Sequence, residues 1–256
     1  MDSMTIVPDK FSMTTEENIF VAKRNIIDYI WKSAHLEGIA VTFPDTESIY
    51  NGFAVKGMKV DDIITINNLK HAWEFVLETI DKEIPTDYPY VCQLNRIVGS
   101  NNLVYNAGFI RDIPVSIGGT SWRPDIPIES QIKEDLTQIT DSPNNSDKAI
   151  TMMLYIMRKQ MFLDGNKRTA MLAANHELIK NGCGIITIPI EEQNKFRELL
   201  INYYETADMG QIKNFVYEKC LDGFTFKKNK TFQWDEPSIE QEQATAQNHV
   251  KVRTRF

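Results

Sequence analysis

Asp164-Gly165-Asn166-Lys167-Arg168 gathers, in one short segment, the side chains and backbone freedom that a phosphate-binding loop needs. Apolar residues recur at helical spacing before it (Ile150, Met153, Leu154, Met157, Met161) and after it (Ala170, Met171, Ala173, Ala174, Leu178, Ile179). A helix beginning near Arg168 would present free backbone N–H groups and the positive end of its dipole at the loop, which favours an anion. Gly165 lets the backbone approach that anion, Lys167 and Arg168 can neutralise it, and Asp164 can ligate a magnesium ion bridging phosphates. The same Asp-Gly-Asn residues also suit an ordinary helix-loop-helix turn with a solvated Lys-Arg pair, so the surrounding elements decide between the two.

Those elements read as mainly α-helical. Thr14 and Glu17 have capping-box spacing, and Ile19, Ala22, Ile26, Ile27 and Ile30 continue a helix until Gly38 offers a stop. A second periodic run spans Leu69 to Ile80 and closes at Pro85, and a third covers Tyr90 to Val98. From Asn101 to Pro124 the texture changes. Gly108-Phe109-Ile110-Arg111, a turn near Pro114 and Val115-Ser116-Ile117-Gly118 read as a small β-hairpin. Helix resumes with Ile128, Ile132, Leu136 and Ile139; Ser146-Asp147 starts the next helix, and the one after the loop ends at Asn181-Gly182. Its many small apolar residues mark it as central and closely packed. Two further helices fall at about 191–204 and 210–221. Beyond Lys227 the chain is polar, as a loosely packed tail would be.

Composition narrows the function classes. The 256 residues are 42% hydrophobic, enough for one sizeable core. A net charge of -7 disfavours non-specific nucleic-acid binding, which needs clustered cations. Asp2 and Asp9 interrupt any leader-like start, and the apolar stretch Cys183 to Ile190 is broken by Gly184, Thr187 and Pro189, so neither export nor a membrane span is expected. A cytoplasmic location is the expectation. Cys92, Cys183 and Cys220 are scattered without a C-x-x-C pair and read as reduced core thiols. His35, His71, His176 and His249 form no metal-binding group.

Phe162-Leu163-Asp164-Gly165-Asn166-Lys167-Arg168-Thr169-Ala170 resembles the signature of the Fic/Doc family, H-P-F-x-D-G-N-G-R, and H-x-F-x-D-G-N-K-R-T-A in its Doc-like members. The likeness extends upstream. Gly108, Ile110 and Arg111 followed by Val115 and Ile117 resemble the family's flap, a hairpin that holds a target protein segment as an added strand. Ser33, Glu37 and Gly38 resemble its inhibitory motif, [S/T]-x-x-x-E-[G/N], in the subgroup carrying that helix at the N-terminus. The resemblance implies an N-terminal segment 1–45 with the inhibitory helix, a Fic-type core 46–225 and a polar tail 226–256. It further implies a protein adenylyltransferase fold that binds ATP or another nucleotide with Mg2+ and docks a target protein at the flap. Homo-oligomers occur in the family. Asp164 would hold magnesium, Gly165, Asn166 and Lys167 the phosphates, Arg168 the terminal phosphate, and Glu37 would obstruct the site.

Three departures qualify that inheritance. Position 160 holds Gln where the family's histidine accepts the proton of the target hydroxyl; an amide can orient a hydroxyl but has no useful basicity. Three readings follow: a residual or altered transferase, a nucleotide-binding pseudoenzyme acting through interactions, or an engineered inactivating change. His35 and His176 are the candidates for a replacement base, although His176 lies about 12 Å along its helix from Arg168. Lys167 stands where adenylyltransferases carry glycine, which points to an inverted nucleotide and Doc-like phosphate transfer. Met171 replaces the second arginine that usually pairs with the inhibitory glutamate, so Glu37 would need Lys167 or Arg168.

Overall fold

The computed structural model describes residues 6–224, and the polar tail expected from Lys227 onward lies outside the described residues. The first helix, α1 (Thr15–Leu36), opens on the expected capping box: Glu17 N–H donates to Thr14 Oγ1 at 3.1 Å and Thr14 N–H to Glu17 Oε2 at 2.8 Å. The next, α2 (Phe43–Tyr50), is absent from the sequence reading. It is capped by Thr42 and carries Pro44 in its first turn, but it buries only Thr46 and Ile49, too few for a periodic signal. The helix expected from Leu69 starts earlier, as α3 (Val60–Ile80), because Thr65, Ile66 and Asn68 are buried along the same helix. α4 (Tyr88–Val98) is capped by Asp87, whose Oδ1 accepts from Tyr90 N–H at 3.0 Å.

After a long irregular connection come α5 (Glu129–Thr140), α6 (Asn145–Lys159) and α7 (Asn166–Lys180). A two-residue strand, β1 (Ile185–Ile186), follows, then α8 (Gln193–Thr206), α9 (Gly210–Lys219) and β2 (Leu221–Asp222). The strands pair antiparallel, Ile185 with Asp222 and Ile186 with Leu221, and form the only sheet among the described residues. The mainly α expectation therefore holds, with its small β element elsewhere than at the flap. No strand pairing joins residues 108–118. Pro114 cannot donate to a ladder, and the buried Arg111 guanidinium ties this segment to carbonyls outside it rather than to a facing strand. Its Nη1 donates to Ile113 O at 2.9 Å and its Nη2 to Asp125 O at 2.6 Å.

α7 is the centre of the molecule. It packs along α6 and against α1, α3 and α4, and from Arg168 to Ile179 every residue is buried. Ala170, Ala173 and Ala174 make this close approach possible at no helix-propensity cost. Several of its polar side chains are matched individually. Asn175 holds β1, donating to Ile186 O at 3.0 Å and accepting from Ile186 N–H at 2.7 Å. Thr86 Oγ1 donates its one hydroxyl proton to Glu177 at 2.5 Å, so it accepts from His176 Nδ1, 2.6 Å away. That leaves His176 Nε2 as the unprotonated nitrogen, buried and without a partner among the described residues. Among those residues, too, no helix is long and apolar enough to cross a membrane, and Cys92, Cys183 and Cys220 are free thiols.

Burial first, then the nearby Lys180 charge, lowers the His176 pKa to about 4, with Glu177 opposing. The unfolded chain therefore takes up this proton first. The contribution to stability is full above the ordinary histidine pKa and is lost as pH falls from there towards the folded value. Urea unfolding should show wild type losing about 2 kcal/mol more than His176→Gln between pH 8 and pH 5. Parallel pH profiles would place the imidazole in an open, ionisable environment instead.

Candidate functional site

Between α6 and α7 the chain makes two left-handed turns. Gln160 ends α6 at φ 48° and Gly165 precedes α7 at φ 77°. A Cβ on Gly165 would meet Asn95 Nδ2 at 3.0 Å and Val98 Cγ1 at 3.1 Å, so both its φ and its packing favour glycine. The loop is stapled from inside by Asn166. Its Oδ1 accepts from Phe162 N–H at 3.0 Å, and its Nδ2 donates to Phe162 O at 2.8 Å and to Gln160 Oε1 at 3.2 Å. The Asn166 side chain is thus consumed within the loop, and only its backbone N–H is left for an anion. Asn95 ties the loop to the segment that follows α4. Its Nδ2 donates to Asp164 O at 3.0 Å and its Oδ1 accepts from Gly108 N–H at 2.8 Å. From the other side Arg111 Nε donates to Gln160 O at 2.6 Å.

No side chain caps α7, so its first-turn donors at Asn166, Lys167 and Arg168 are free for an outside acceptor. Asn166 and Lys167 border a cleft of ≈ 340 Å³. Gln160, Asp164, Asn166 and Lys167 form its polar side; Phe196, Leu200, Ile201 and Tyr204 of α8 form an apolar wall; Leu36 and Glu37 enter from the end of α1; and Val115 to Gly118 close the remaining side. Trp122 stacks on Tyr204 with ring centroids 5.5 Å apart, which fastens that last segment to α8. A polar end facing an apolar wall suits a ligand with an anionic and a flat apolar part.

The cleft brings together Glu37, Val115, Ile117, Gln160, Asp164, Asn166 and Lys167, which lie far apart in sequence. Ser33 and Gly38 do not line it; they shape the turn that delivers Glu37, whose N–H donates to Ser33 O at 3.3 Å and Ala34 O at 3.1 Å, with Gly38 at φ 83°. Gly108, Ile110 and Arg111 lie behind the lining residues. Arg168 is also set back: it is 5% exposed, with Nη2 3.3 Å from Asp164 Oδ2 and with Nε and Nη1 buried and unpartnered among the described residues. Asp164 itself is open, its side chain 64% exposed.

Glu37 Oε2 stands 3.3 Å from Lys167 Nζ, one of the two pairings expected with Met at position 171. Gln160 Nε2 donates to Met157 O at 2.6 Å, and the Tyr204 hydroxyl, whose pKa burial pushes up, lies beside it. Neither histidine can replace a base here. His35 bonds Val41 O at 2.6 Å and His176 is enclosed against Tyr90; neither lines the cleft. Sequence reasoning missed Asn95, Arg197 and Tyr204. Asn95 sits on a buried helix face among apolar residues, and a polar residue at such a position was the available signal.

Comparison with known proteins bears on the family and the fold. Residues 85–178 match the model of the Fic/DOC family. The chain is 24% identical over 243 residues to protein adenylyltransferase Fic of Drosophila willistoni, covering 91% of this chain and 48% of that protein. It is 25% identical over 218 residues to the Drosophila melanogaster protein of the same name, covering 78% and 42%. It thus spans about half the length of the curated relatives it matches. Among solved structures, a Fic domain-containing signaling protein from Bacteroides thetaiotaomicron aligns with a TM-score of 0.66 at 19% identity, covering 80% of this chain and 85% of that one. Fic-1 from C. elegans aligns with a TM-score of 0.64 at 20% identity, covering 77% and 61%. At these identities the structures show a shared fold.

Removing the internal staple should loosen the loop without touching the outer wall. Asn166→Ala is expected to cost about 1–3 kcal/mol in chemical unfolding, since it strands the Phe162 backbone groups. A cost within error of zero would mean that Asn166 does not hold the loop.

Proposed function

We propose that the Fic/DOC domain at residues 85–178 binds ATP or a related nucleotide at the Asp164–Arg168 loop. It would transfer the adenylyl group, slowly, to a hydroxyl of a partner protein lying along Val115 to Gly118. The observation that carries this reading is the uncapped start of α7, which opens on one cleft with a cation, an exposed carboxylate and an apolar wall. The relatives named protein adenylyltransferase support the same class.

The residues fit a polyphosphate. Two guanidinium nitrogens of Arg168 are buried without partners among the described residues, and Lys167 already holds a carboxylate. Among the described residues no group of three or more His, Cys, Asp or Glu is set to hold a metal. A single open carboxylate at Asp164 nevertheless suits Mg2+, which fills its shell with water and phosphate oxygens. The ion would supply charge neutralisation at the phosphates; the chain's own part is to place the nucleotide and the hydroxyl. The hydroxyl oxygen would bond to the α-phosphorus as pyrophosphate leaves. Its proton must pass to water or a phosphate oxygen, because the Gln160 amide is no base. Glu37 occupies Lys167, so a phosphate must displace a carboxylate before it can bind; this is the basis for restraint in cis.

A second reading, nucleotide binding without transfer, draws on Gln160, whose amide is engaged with Met157 O and Asn166 Nδ2 rather than free for a substrate. Incubating wild type and Gln160→His with ATP, magnesium and a cell extract separates the two. Label from the α-phosphate should mark a protein faintly with wild type and about a hundred- to ten-thousand-fold more strongly with Gln160→His. Label from the γ-phosphate alone would move the assignment to phosphoryl transfer. No protein label with either variant would leave the binding-only reading in place.

A further inference from the structure

Glu37 is the residue immediately beyond α1, so its place over the loop depends on what holds the end of that helix. The final carbonyls of an α-helix lack intrahelical partners and attract donors and cations. Here one face of α8 supplies them. Gln193 Nε2 donates to Lys32 O at 2.9 Å, and Arg197 Nη2 donates to His35 O at 3.0 Å and to Leu36 O at 3.2 Å. The two side chains also meet, with Arg197 Nη2 3.4 Å from Gln193 Oε1. Gln193 is buried and does not line the cleft, whereas Arg197 does.

We propose that Gln193 and Arg197 form a clamp that sets Glu37 against Lys167, which makes α8 the regulatory element of the site. Both act as positioning residues. The proposal rests on the reading of Glu37 as a restraint on nucleotide binding. It adds a structural reason for that restraint: the same helix that walls the cleft with Phe196, Leu200 and Tyr204 also fixes the last turn of α1. A helix end bound through charge-assisted bonds to its carbonyls has little freedom to swing its next residue aside. Loss of Gln193 frees Glu37 to leave Lys167 without altering any residue that lines the cleft, whereas loss of Arg197 also removes a cation from the lining.

The test is a double-mutant cycle read by calorimetric titration of ATP with magnesium into the full chain. Gln193→Ala should tighten binding by about tenfold in the wild-type background and leave it unchanged in the Glu37→Gly background. Arg197 borders the cleft, so Arg197→Ala is read as the difference between backgrounds: a lost direct contact weakens binding equally in both, whereas release of Glu37 shifts binding towards tighter only in the wild-type background, with Arg197→Lys in between; this difference decides the matter should Gln193→Ala not fold. An equal change in both backgrounds, whether from a merely structural role or from a lost cleft contact, shows no coupling to Glu37 and overturns the clamp. So does an unchanged affinity in Gln193→Ala and Arg197→Ala when Glu37→Gly alone tightens binding. If Glu37→Gly itself changes nothing, the restraint fails at its root and the clamp with it.

Discussion

Burial of α7 along almost its whole length leaves its first turn as the place where uncapped backbone donors face the outside. Everything about the site follows from that constraint. The helix cannot slide or tilt, since Asn175 is bonded into β1, and His176 and Glu177 are bonded to Thr86. The loop before it is equally fixed, held inside by Asn166, behind by Asn95 and on the far side by Arg111. A preorganised donor array of this kind needs no rearrangement when an anion arrives, which is what makes such arrays effective electrostatic sites.

Charge is arranged around the loop in opposed pairs. Lys167 faces Glu37, and Arg168 reaches Asp164 from beneath. Lys167 and Glu37 are both partly exposed, so their attraction is modest and screened. A multiply charged phosphate chain would compete well for Lys167. Glu37 is then less a permanent plug than one competitor whose advantage is that it is tethered, and a tethered group acts at a high effective concentration. On the reading of Glu37 as a restraint, its strength depends on how firmly the end of α1 is held.

Local signals in the sequence carried far. The Thr14–Glu17 capping box and the small-residue run of α7 are each decided within a few residues, and they read directly. The loop motif and Glu37 were legible for the same reason, and the structure sets them in one cleft. Interactions between distant segments were not legible. Arg111 reads locally as part of a β-run, but it bonds carbonyls at positions 160 and 125, and those long-range bonds replace the hairpin. Asn95 and Gln193 are likewise polar residues whose partners lie on other elements, and no periodicity announces them. α2 was missed because eight residues with two buried positions make too little pattern.

The most direct test of the account is where ATP touches the backbone. Amide resonances of Asn166, Lys167 and Arg168 can be followed by NMR while ATP and magnesium are titrated into wild type and Glu37→Gly. The account requires these three amides to shift in both proteins, and at lower ATP concentration once Glu37 is gone. Shifts elsewhere with these three unmoved would contradict it, and the start of α7 would then be an ordinary helix end.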